Sequence, residues 1–292
     1  MKIYLMTDLE GVAGVLDFEN WCTPESRYYE LAKEFLTLEV NAAVSGFFEG
    51  GATEVVVADG HGAGGINMKI LDPRVKLMRG WPTGWPFLLD KSYDAVAWVG
   101  QHAKAGTEYA HLPHTQTFDY LDLSINGISI GEFGQFAMCA TELKIPVIFA
   151  SGDEAFTREA KALVPGIVTV SVKNGTTPGK GDELPGPAYA KRNCGAVHLH
   201  PVKAREIIRE RALDALRQAK KKGFSGGLIS LKPPYERVAV FRAKEDSPQK
   251  VYRERHARSV ITLLELPYDR ETEEVPKTSS VKRTKDSSGL SR

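Results

Sequence analysis

The sequence KIYLMTDLEG, residues 2–11, joins a short apolar run to two acidic residues. The apolar run predicts a first β-strand over Lys2–Thr7, because isoleucine, tyrosine and threonine are enriched in strands. Asp8 and Glu10 follow directly at the carboxyl end of that strand. Ligands of open α/β sheets bind at this end of the strands, so both carboxylates are candidate site residues.

Similar apolar runs recur along the chain. Residues 53–58 (TEVVVA) and 95–99 (AVAWV) are near-continuous apolar runs, which are typical of parallel strands buried on both faces. Three later runs predict further strands, at residues 146–150, 167–172 and 237–241. Amphipathic stretches predict helices from Thr23-Pro24-Glu25 to Gly50-Gly51, over residues 158–163 and, with a basic face, over residues 202–222. This alternation predicts an α/β fold, a sheet with flanking helices.

Residues 121–130, LDLSINGISI, follow a different pattern. Apolar and polar residues alternate around Asn126-Gly127, and Asn-Gly is the strongest short-range signal for a hairpin. We therefore predict a β-hairpin excursion from the sheet, which ends in Gly131-Glu132.

Four of the predicted elements end in an acid or an imidazole. These candidate metal ligands are Asp8 and Glu10 after the first strand, His61 after the second, His102 after the third and Glu132 after the hairpin. Carboxylates and neutral imidazoles together suit Zn²⁺ or a related borderline ion. Three carboxylates and two histidines exceed the needs of one four-coordinate zinc. With one carboxylate bridging, they suffice for two ions about 3.5–4 Å apart, which predicts a two-metal hydrolase.

Composition and charge disfavour several classes of protein. The chain is 42% hydrophobic and 26% charged, and its net charge of +1 without a basic block argues against nucleic-acid and membrane partners. Cys22, Cys139 and Cys194 form no CxxC pair, which disfavours a disulfide framework and a thiolate zinc site. The first residues do not resemble a signal peptide, and no apolar run reaches membrane-spanning length. We therefore expect a cytoplasmic protein.

Two other features admit more than one interpretation. Residues 60–65, GHGAGG, satisfy the GxGxxG pattern of dinucleotide sites, but Pro73 interrupts the following stretch before a long helix can form. Residues 81–87, WPTGWPF, are either an aromatic substrate wall or a packed surface loop or subunit contact, and we favour the loop or contact. A covalent serine or cysteine hydrolase is disfavoured, since the sequence has no GxSxG elbow and no cysteine beside a histidine.

As an ordered set, these motifs resemble one family. TDLEGVAG at residues 7–14 is similar to the opening motif of the zinc-dependent D-aminopeptidases of dipeptide transport operons, the DppA type. The similarity covers residues 2–205 and continues through Asp59-Gly60-His61, Gly100-Gln101-His102-Ala103, Pro113-His114-Thr115, the Asn126-Gly127 hairpin with Gly131-Glu132, Ala150-Ser151-Gly152-Asp153 and Val172-Lys173.

The resemblance implies a three-layer αβα sandwich with a largely parallel central sheet and a site for two Zn²⁺ per subunit. Asp8 would bridge the two ions. Glu10 and Glu132 would lie on one side of Asp8, with His61 and His102 on the other.

The resemblance also implies a catalytic histidine, His114. We favour a proton shuttle as its role, since the unperturbed pKa of histidine suits proton transfer near neutral pH, with nucleophilic attack as the second choice. The loop that ends at His114 is one residue longer than the family pattern and carries His111 as an alternative candidate.

The family's activity is the release of D-amino acids, D-alanine above all, from the N-terminus of short peptides. Its members form a homo-oligomer, a decamer that encloses an inner chamber. We predict a single metallopeptidase domain over residues 1–268, with a candidate smaller subdomain from about residue 206, and a polar, flexible tail over residues 269–292. The alternatives are another two-metal amidohydrolase without D-specificity and a non-catalytic peptide-binding accessory of a transport system, which would not need His114.

Overall fold

The computed structural model describes residues 1–244, 246–269 and 271–272. Within them the chain forms helices α1 (Phe18–Trp21), α2 (Tyr29–Glu49), α3 (Glu132–Glu142), α4 (Glu154–Leu163), α5 (Gly186–Arg192), α6 (Pro201–Ala219) and α7 (Val260–Glu265). The strands, also numbered along the chain, are β1 (Lys2–Thr7), β2 (Glu54–Asp59), β3 (Lys76–Met78), β4 (Ala95–Gln101), β5 (Tyr120–Ile125), β6 (Ile128–Ser129), β7 (Val147–Asp153), β8 (Val168–Gly175), β9 (Ala196–His198), β10 (Tyr235–Phe241), β11 (Lys250–His256) and β12 (Glu271–Thr272). None of these helices combines the length and the apolar content that a membrane crossing requires.

The larger sheet has the strand order β3-β2-β1-β4-β7-β8-β9. Neighbouring strands run parallel from β3 to β8, and β9 runs antiparallel to β8 at the edge. The predicted first strand, β1, lies inside this sheet and pairs with β2 on one side and β4 on the other. The prediction of a largely parallel central sheet is confirmed.

Helices cover both faces of this sheet because successive side chains of a buried strand point to opposite faces. Ile3 and Leu5 of β1 pack into the same core as buried residues of α2 and α6. Tyr4 and Met6, which alternate with them, pack into a second core with buried residues of α3 and α4. The predicted three layers, helices on both sides of one sheet, are therefore present.

The smaller sheet is antiparallel and has the order β12-β11-β10-β5-β6. Asn126 and Gly127 connect β5 to β6 with φ angles of +50° and +77°, as a two-residue hairpin turn of type I′ requires. The predicted hairpin and the predicted late strand are both confirmed, and they pair with each other in one sheet. The sequence analysis does not predict β11 because charged residues interrupt its apolar pattern, KVYRERH.

Two predicted boundaries differ from the structure. The helix predicted from residue 23 begins instead at Tyr29, since Ser26 Oγ bonds to the amide of Thr23 at 3.1 Å and to the carbonyl of Glu19 at 2.6 Å, which forms a turn. Its predicted end is confirmed, because Gly50 caps α2. In the predicted polar tail, the strand β12 pairs with β11, and residues 273–292 lie outside the described residues.

The carboxyl ends of β1, β2 and β4 lie side by side. Thr7, the last residue of β1, is in register with Asp59 of β2 and Val99 of β4. The segments that leave these strands also approach each other closely: a Cβ atom on Gly100, whose φ is +83°, would lie 2.0 Å from the carbonyl oxygen of Asp8. Glycine is therefore required at this position, and the turns after β1 and β4 are in contact.

Gly46 provides a test of the packing between α2 and α6. A Cβ atom at this position would lie 2.3 Å from the carbonyl oxygen of Arg209 in α6, so we expect Gly46→Ala to lower the free energy of unfolding by about 1–3 kcal/mol. Glycine to alanine in an unobstructed helix has the opposite effect, about 0.5–1 kcal/mol of stabilisation. The measurement is urea denaturation, with Ser45→Ala as the control that stays within about 0.5 kcal/mol of wild type. A Gly46→Ala protein as stable as wild type would contradict this packing.

Candidate metal centre

The carboxylate of Asp8 lies between two histidines. Its Oδ1 atom is 3.2 Å from Nδ1 of His61, and its Oδ2 atom is 3.2 Å from Nε2 of His102. The amide of Leu9 donates a hydrogen bond of 2.9 Å to Oδ1 and fixes the orientation of the carboxylate. Each oxygen of Asp8 therefore faces a different group of potential ligands.

Two groups of side chains could each hold a metal ion, with ligand atoms that lie within 4.8 Å of one another in each group; they are Asp8, Glu10 and His61 in the first and His102, His114 and Glu132 in the second. In the first group, Oε2 of Glu10 is 3.2 Å from Nδ1 of His61. In the second, Oε1 of Glu132 is 3.6 Å from Nε2 of His102 and 3.9 Å from Nε2 of His114. The structure thus brings together all five candidate ligands and His114.

The division between the two groups differs from the one that the resemblance implies. Glu10 is paired with His61, and Glu132 is paired with His102, so each group contains a carboxylate and an imidazole. The reason is topological: Glu10 follows β1 beside the turn after β2, whereas Glu132 begins α3 and reaches the turn after β4.

Backbone carbonyl groups orient the three histidine rings. Nε2 of His61 is 2.8 Å from the carbonyl oxygen of Cys22, and Nδ1 of His102 is 2.9 Å from that of Ala103. Nδ1 of His114 is 2.9 Å from the carbonyl oxygen of Leu112. Because a carbonyl oxygen only accepts hydrogen bonds, each of these nitrogens carries the proton, and the other nitrogen of each ring is left to face the carboxylates as a ligand or base.

Several ligand atoms in this cluster are buried without a hydrogen-bond partner in the described part of the chain; they are Oδ2 of Asp8, Oε2 of Glu10 and Nε2 of His102. A buried carboxylate is costly without a compensating cation, and the carboxylates of Asp8, Glu10 and Glu132 also repel each other. Divalent cations bound to these atoms would remove both penalties. The set of donors, carboxylate oxygen and neutral imidazole nitrogen, fits Zn²⁺.

The charges of this cluster are strongly coupled. Burial acts to lower the pKa of His61 and His102, but the nearby carboxylates outweigh it, chiefly Glu10 for His61 and Glu132 for His102, and raise both values well above the ordinary one. Burial acts against ionisation of Glu132, yet His102 and its other neighbours lower its pKa to about 2. A metal ion bound here would displace a proton from each of the two imidazoles, because histidine binds a metal in its neutral form.

His111, the alternative to His114, lies outside both groups. Its Nε2 atom bonds to the carbonyl oxygen of Leu16 at 2.9 Å, and its backbone amide donates to Oδ2 of Asp153 at 3.2 Å. Burial lowers the pKa of His111 to about 2, so the ring stays neutral at working pH. Asp153 is the N-cap of α4 and is buried. His114 is therefore favoured over His111, because its Nε2 atom lies 3.9 Å from Oε1 of Glu132 in the second ligand group.

A cavity of about 530 Å³ opens above the ligand cluster. Trp81, Trp85 and Phe87 line it, which is the interpretation of residues 81–87 that we did not favour from the sequence. Phe18 and Phe118 line it as well, and the ring of Phe118 lies 4.5 Å from the ring of His114. Sequence reasoning missed both phenylalanines; the position of Phe118 four residues after the candidate histidine is the signal that could have indicated it.

Lys173 supports the turn that carries Asp8 and Glu10. Its Nζ atom donates hydrogen bonds of 2.5 Å to the carbonyl oxygen of Glu10 and 3.2 Å to that of Val15. Burial lowers the pKa of this amine to about 8. The sequence motif Val172-Lys173 indicated no role for Lys173. The signal that could have indicated one is a lysine directly after the apolar run of residues 167–172.

The chain is similar to known proteins in sequence and in fold. Residues 1–251 match the model of the M55 peptidase family, described as D-aminopeptidase. A D-aminopeptidase of Bacillus subtilis (strain 168) is 30% identical over 176 residues, which are 59% of this chain and 64% of that protein, so the match spans less than two thirds of the relative. The solved structure of the Zn-dependent D-aminopeptidase DppA from Bacillus subtilis, a self-compartmentalizing protease, superposes with a TM-score of 0.74. The superposition covers 90% of this chain and 94% of the DppA chain, at 23% sequence identity, which establishes a shared fold.

Replacement of Lys173 tests whether it positions the turn that carries Glu10. Lys173→Met keeps the length of the side chain but leaves two buried carbonyl groups without their donor. We expect zinc affinity to fall roughly 10–100-fold, the usual effect of losing a residue that orients a ligand. The measurement is competition with a chromophoric chelator, and Lys161→Met, at an exposed position of α4, is the control. Unchanged zinc affinity in Lys173→Met would remove Lys173 from the site.

Proposed function

We propose that this chain, which belongs to the M55 family of D-aminopeptidases, is a dinuclear zinc aminopeptidase that releases N-terminal D-amino acids from short peptides. The family match confirms the resemblance that the ordered motifs indicate. The finer parts of the proposal, two zinc ions and a preference for D-alanine, rest on the geometry of the ligand cluster and on the resemblance respectively.

One observation carries the proposal of two ions. The two oxygens of Asp8 face different histidines, at 3.2 Å each, and each histidine has its own carboxylate, Glu10 beside His61 and Glu132 beside His102. A single ion at either position would leave the other histidine and carboxylate buried together without a cation. A bridging carboxylate between two ligand pairs is the arrangement that two-metal hydrolases use.

Two bound ions would lower the pKa of a water molecule and polarise the scissile carbonyl. His114 supports the remaining chemistry, because its Nδ1 atom is bonded to the carbonyl oxygen of Leu112 and its Nε2 atom faces Glu132 at 3.9 Å. Nε2 would accept a proton from the attacking water and give it to the leaving nitrogen, which an amide needs in order to leave as an amine. Glu132 and the stacked ring of His102, 3.8 Å away, hold the imidazole in this orientation.

The charges around the cavity support an aminopeptidase over a carboxypeptidase. Its described lining contains the carboxylates of Asp8, Glu10 and Glu132 and no lysine or arginine. A C-terminal carboxylate would therefore find no basic side chain to pair with it.

We also propose that the protein acts in the cytoplasm as a homo-oligomer, a decamer by resemblance, with short peptides as its partners and neither nucleic acid nor membrane. The description of the Bacillus subtilis structure as a self-compartmentalizing protease supports the homo-oligomer. The net charge of +1 supports the absence of a nucleic-acid or membrane partner.

Hydrolysis of amino-acid amides tests the activity. Zinc-loaded protein should cleave D-alaninamide at least about tenfold faster, measured as kcat/KM, than L-alaninamide, a ratio that corresponds to 1.4 kcal/mol. N-acetyl-D-alaninamide should not be cleaved, because it lacks the free amino group. Equal rates for both stereoisomers would support an amidohydrolase without D-specificity, and faster cleavage of the acetylated amide would contradict an aminopeptidase.

The metal content of variants distinguishes the proposed ligands from His114, the proposed proton shuttle. Wild-type protein equilibrated with zinc should hold about two ions per chain by atomic absorption, and Asp8→Ala should lose the most metal because its carboxylate serves both ions. His114→Ala should keep its zinc and lose roughly 10²–10⁴-fold in kcat, the range for general acid–base groups.

His111→Ala is the matched control for His114→Ala, since His111 is a buried histidine in the same loop that lies outside the ligand groups. It should retain both zinc and turnover at a temperature where the variant is folded. Loss of one zinc equivalent in His114→Ala would make this residue a ligand and would leave the reaction without its named proton donor.

A further inference from the structure

The cavity above the ligand cluster has an aromatic wall, which consists of Trp81, Trp85 and Phe87. We propose that this aromatic wall is a binding subsite for an apolar side chain of the peptide residue that follows the scissile bond. The inference rests on the proposed aminopeptidase function and names the class of peptide that the site takes: a small N-terminal residue followed by a large apolar one.

The three rings of the aromatic wall form one surface. The rings of Trp85 and Phe87 are 4.5 Å apart, and those of Trp81 and Phe87 are 5.3 Å apart. Phe87 also stacks at 6.3 Å on Phe136 of α3, the helix that begins with the ligand Glu132. The wall is thus anchored to the same element as the ligand cluster, so the distance between wall and ligands is fixed by packing.

The backbone of the wall is held in an unusual conformation. Phe87 and Leu88 have φ angles of +54° and +62°, in the left-handed region that bulky residues rarely adopt. The hydroxyl group of Tyr4, a core residue of β1, donates a hydrogen bond of 2.7 Å to the carbonyl oxygen of Phe87. Such conformations persist where the surrounding structure over-determines them, and they concentrate at binding sites.

The burial of the cavity residues indicates which end of the peptide lies near the ligands and which lies near the opening. Asp8 and Glu10 are buried, whereas all three rings of the aromatic wall are partly exposed, so the wall lies nearer the opening than the ligands do. The substrate of an aminopeptidase has one residue before the scissile carbonyl and the rest of the peptide after it. Because the scissile carbonyl must reach the ligand cluster, the N-terminal residue lies in the deep part of the cavity. The chain then leaves past the scissile carbonyl toward the opening, and the next side chain meets the wall.

The chemistry of the wall selects an apolar side chain. The described lining of the cavity offers aromatic rings and no lysine or arginine, so an acidic side chain would lose its hydration without gaining a partner. Phenylalanine or leucine would bury apolar area against the rings, and aromatic pairs gain further from edge-to-face contact. A volume of about 530 Å³ is within the range of clefts that take a ligand much larger than alanine.

The experiment compares dipeptides that share N-terminal D-alanine and differ in the second residue. We expect kcat/KM for D-Ala-Phe to exceed that for D-Ala-Gly by on the order of 10–100-fold, chiefly through KM, with D-Ala-Asp the poorest. Trp85→Ala should reduce the ratio of Phe to Gly by roughly tenfold. Leu88→Ala, at an exposed neighbour outside the cavity lining, is the matched control and should leave this ratio unchanged.

Calorimetric binding of analogues whose scissile amide is reduced to CH₂NH gives a readout without turnover. The phenylalanine analogue should bind more tightly than the glycine analogue, and Trp85→Ala should abolish the difference.

If D-alaninamide is hydrolysed but neither ratio depends on the second residue or on Trp85, the subsite is refuted while the proposed function stands. If no substrate is hydrolysed but the analogues bind as expected, the proposed function fails and the subsite remains. Faster hydrolysis of D-phenylalaninamide than D-alaninamide, lost in Trp85→Ala, would assign the wall to the N-terminal side chain and overturn the proposal.

Discussion

The carboxylate of Asp8 is shared between two imidazoles, and much of the structure around it follows from keeping that carboxylate and its neighbours buried. Three carboxylates within a few ångströms of one another are stable away from water only if cations compensate them. The carboxylates raise the pKa of His61 and His102, although burial acts to lower it, and so favour a proton on each ring. Divalent ions would replace those protons. The buried acids therefore need cations for their stability, and the proposed chemistry needs the same cations.

The turn that carries Asp8 and Glu10 depends on side chains from other elements. A buried turn must satisfy its backbone groups, since water cannot reach them. Three side chains do so: Lys173 of β8 with the carbonyls of Glu10 and Val15, Glu39 of α2 with the amide of Ala13, and His198 of β9 with the amide of Gly14. The role of these polar residues is therefore to support the turn, not to take part in catalysis. Burial raises the pKa of Glu39 to about 7, which is the cost of placing an acid there.

The parts of the fold contribute differently to the site. The parallel sheet sets the position of Asp8, Glu10, His61 and His102, because the strands that precede them end at one edge. The hairpin leads into α3 and brings Glu132 to the same edge at the start of that helix. The cavity walls come instead from loops, residues 81–87 and the segment around Phe118, which are separated from the ligands in sequence. The ligand cluster can therefore be retained while the loops change the substrate, a separation that is common in α/β enzymes.

The sequence by itself determined most of the elements and indicated the candidate ligands, because both leave local patterns. Apolar runs predict buried strands, Asn126-Gly127 predicts a hairpin turn, and an acid or imidazole directly after each strand predicts a site, since parallel strands all end at one edge. Most strands and the five candidate metal ligands could be named from these patterns, whereas His114 was implied only by the family resemblance.

The pairing of Glu10 with His61, the exclusion of His111 and the approach of Trp85 to the cavity were decided only by the tertiary structure. So were the partners of Lys173 and the single sheet formed by β5 and β10. The physical reason is that these contacts join residues far apart in the chain, and local propensity carries no information about which of several buried polar or aromatic groups will meet.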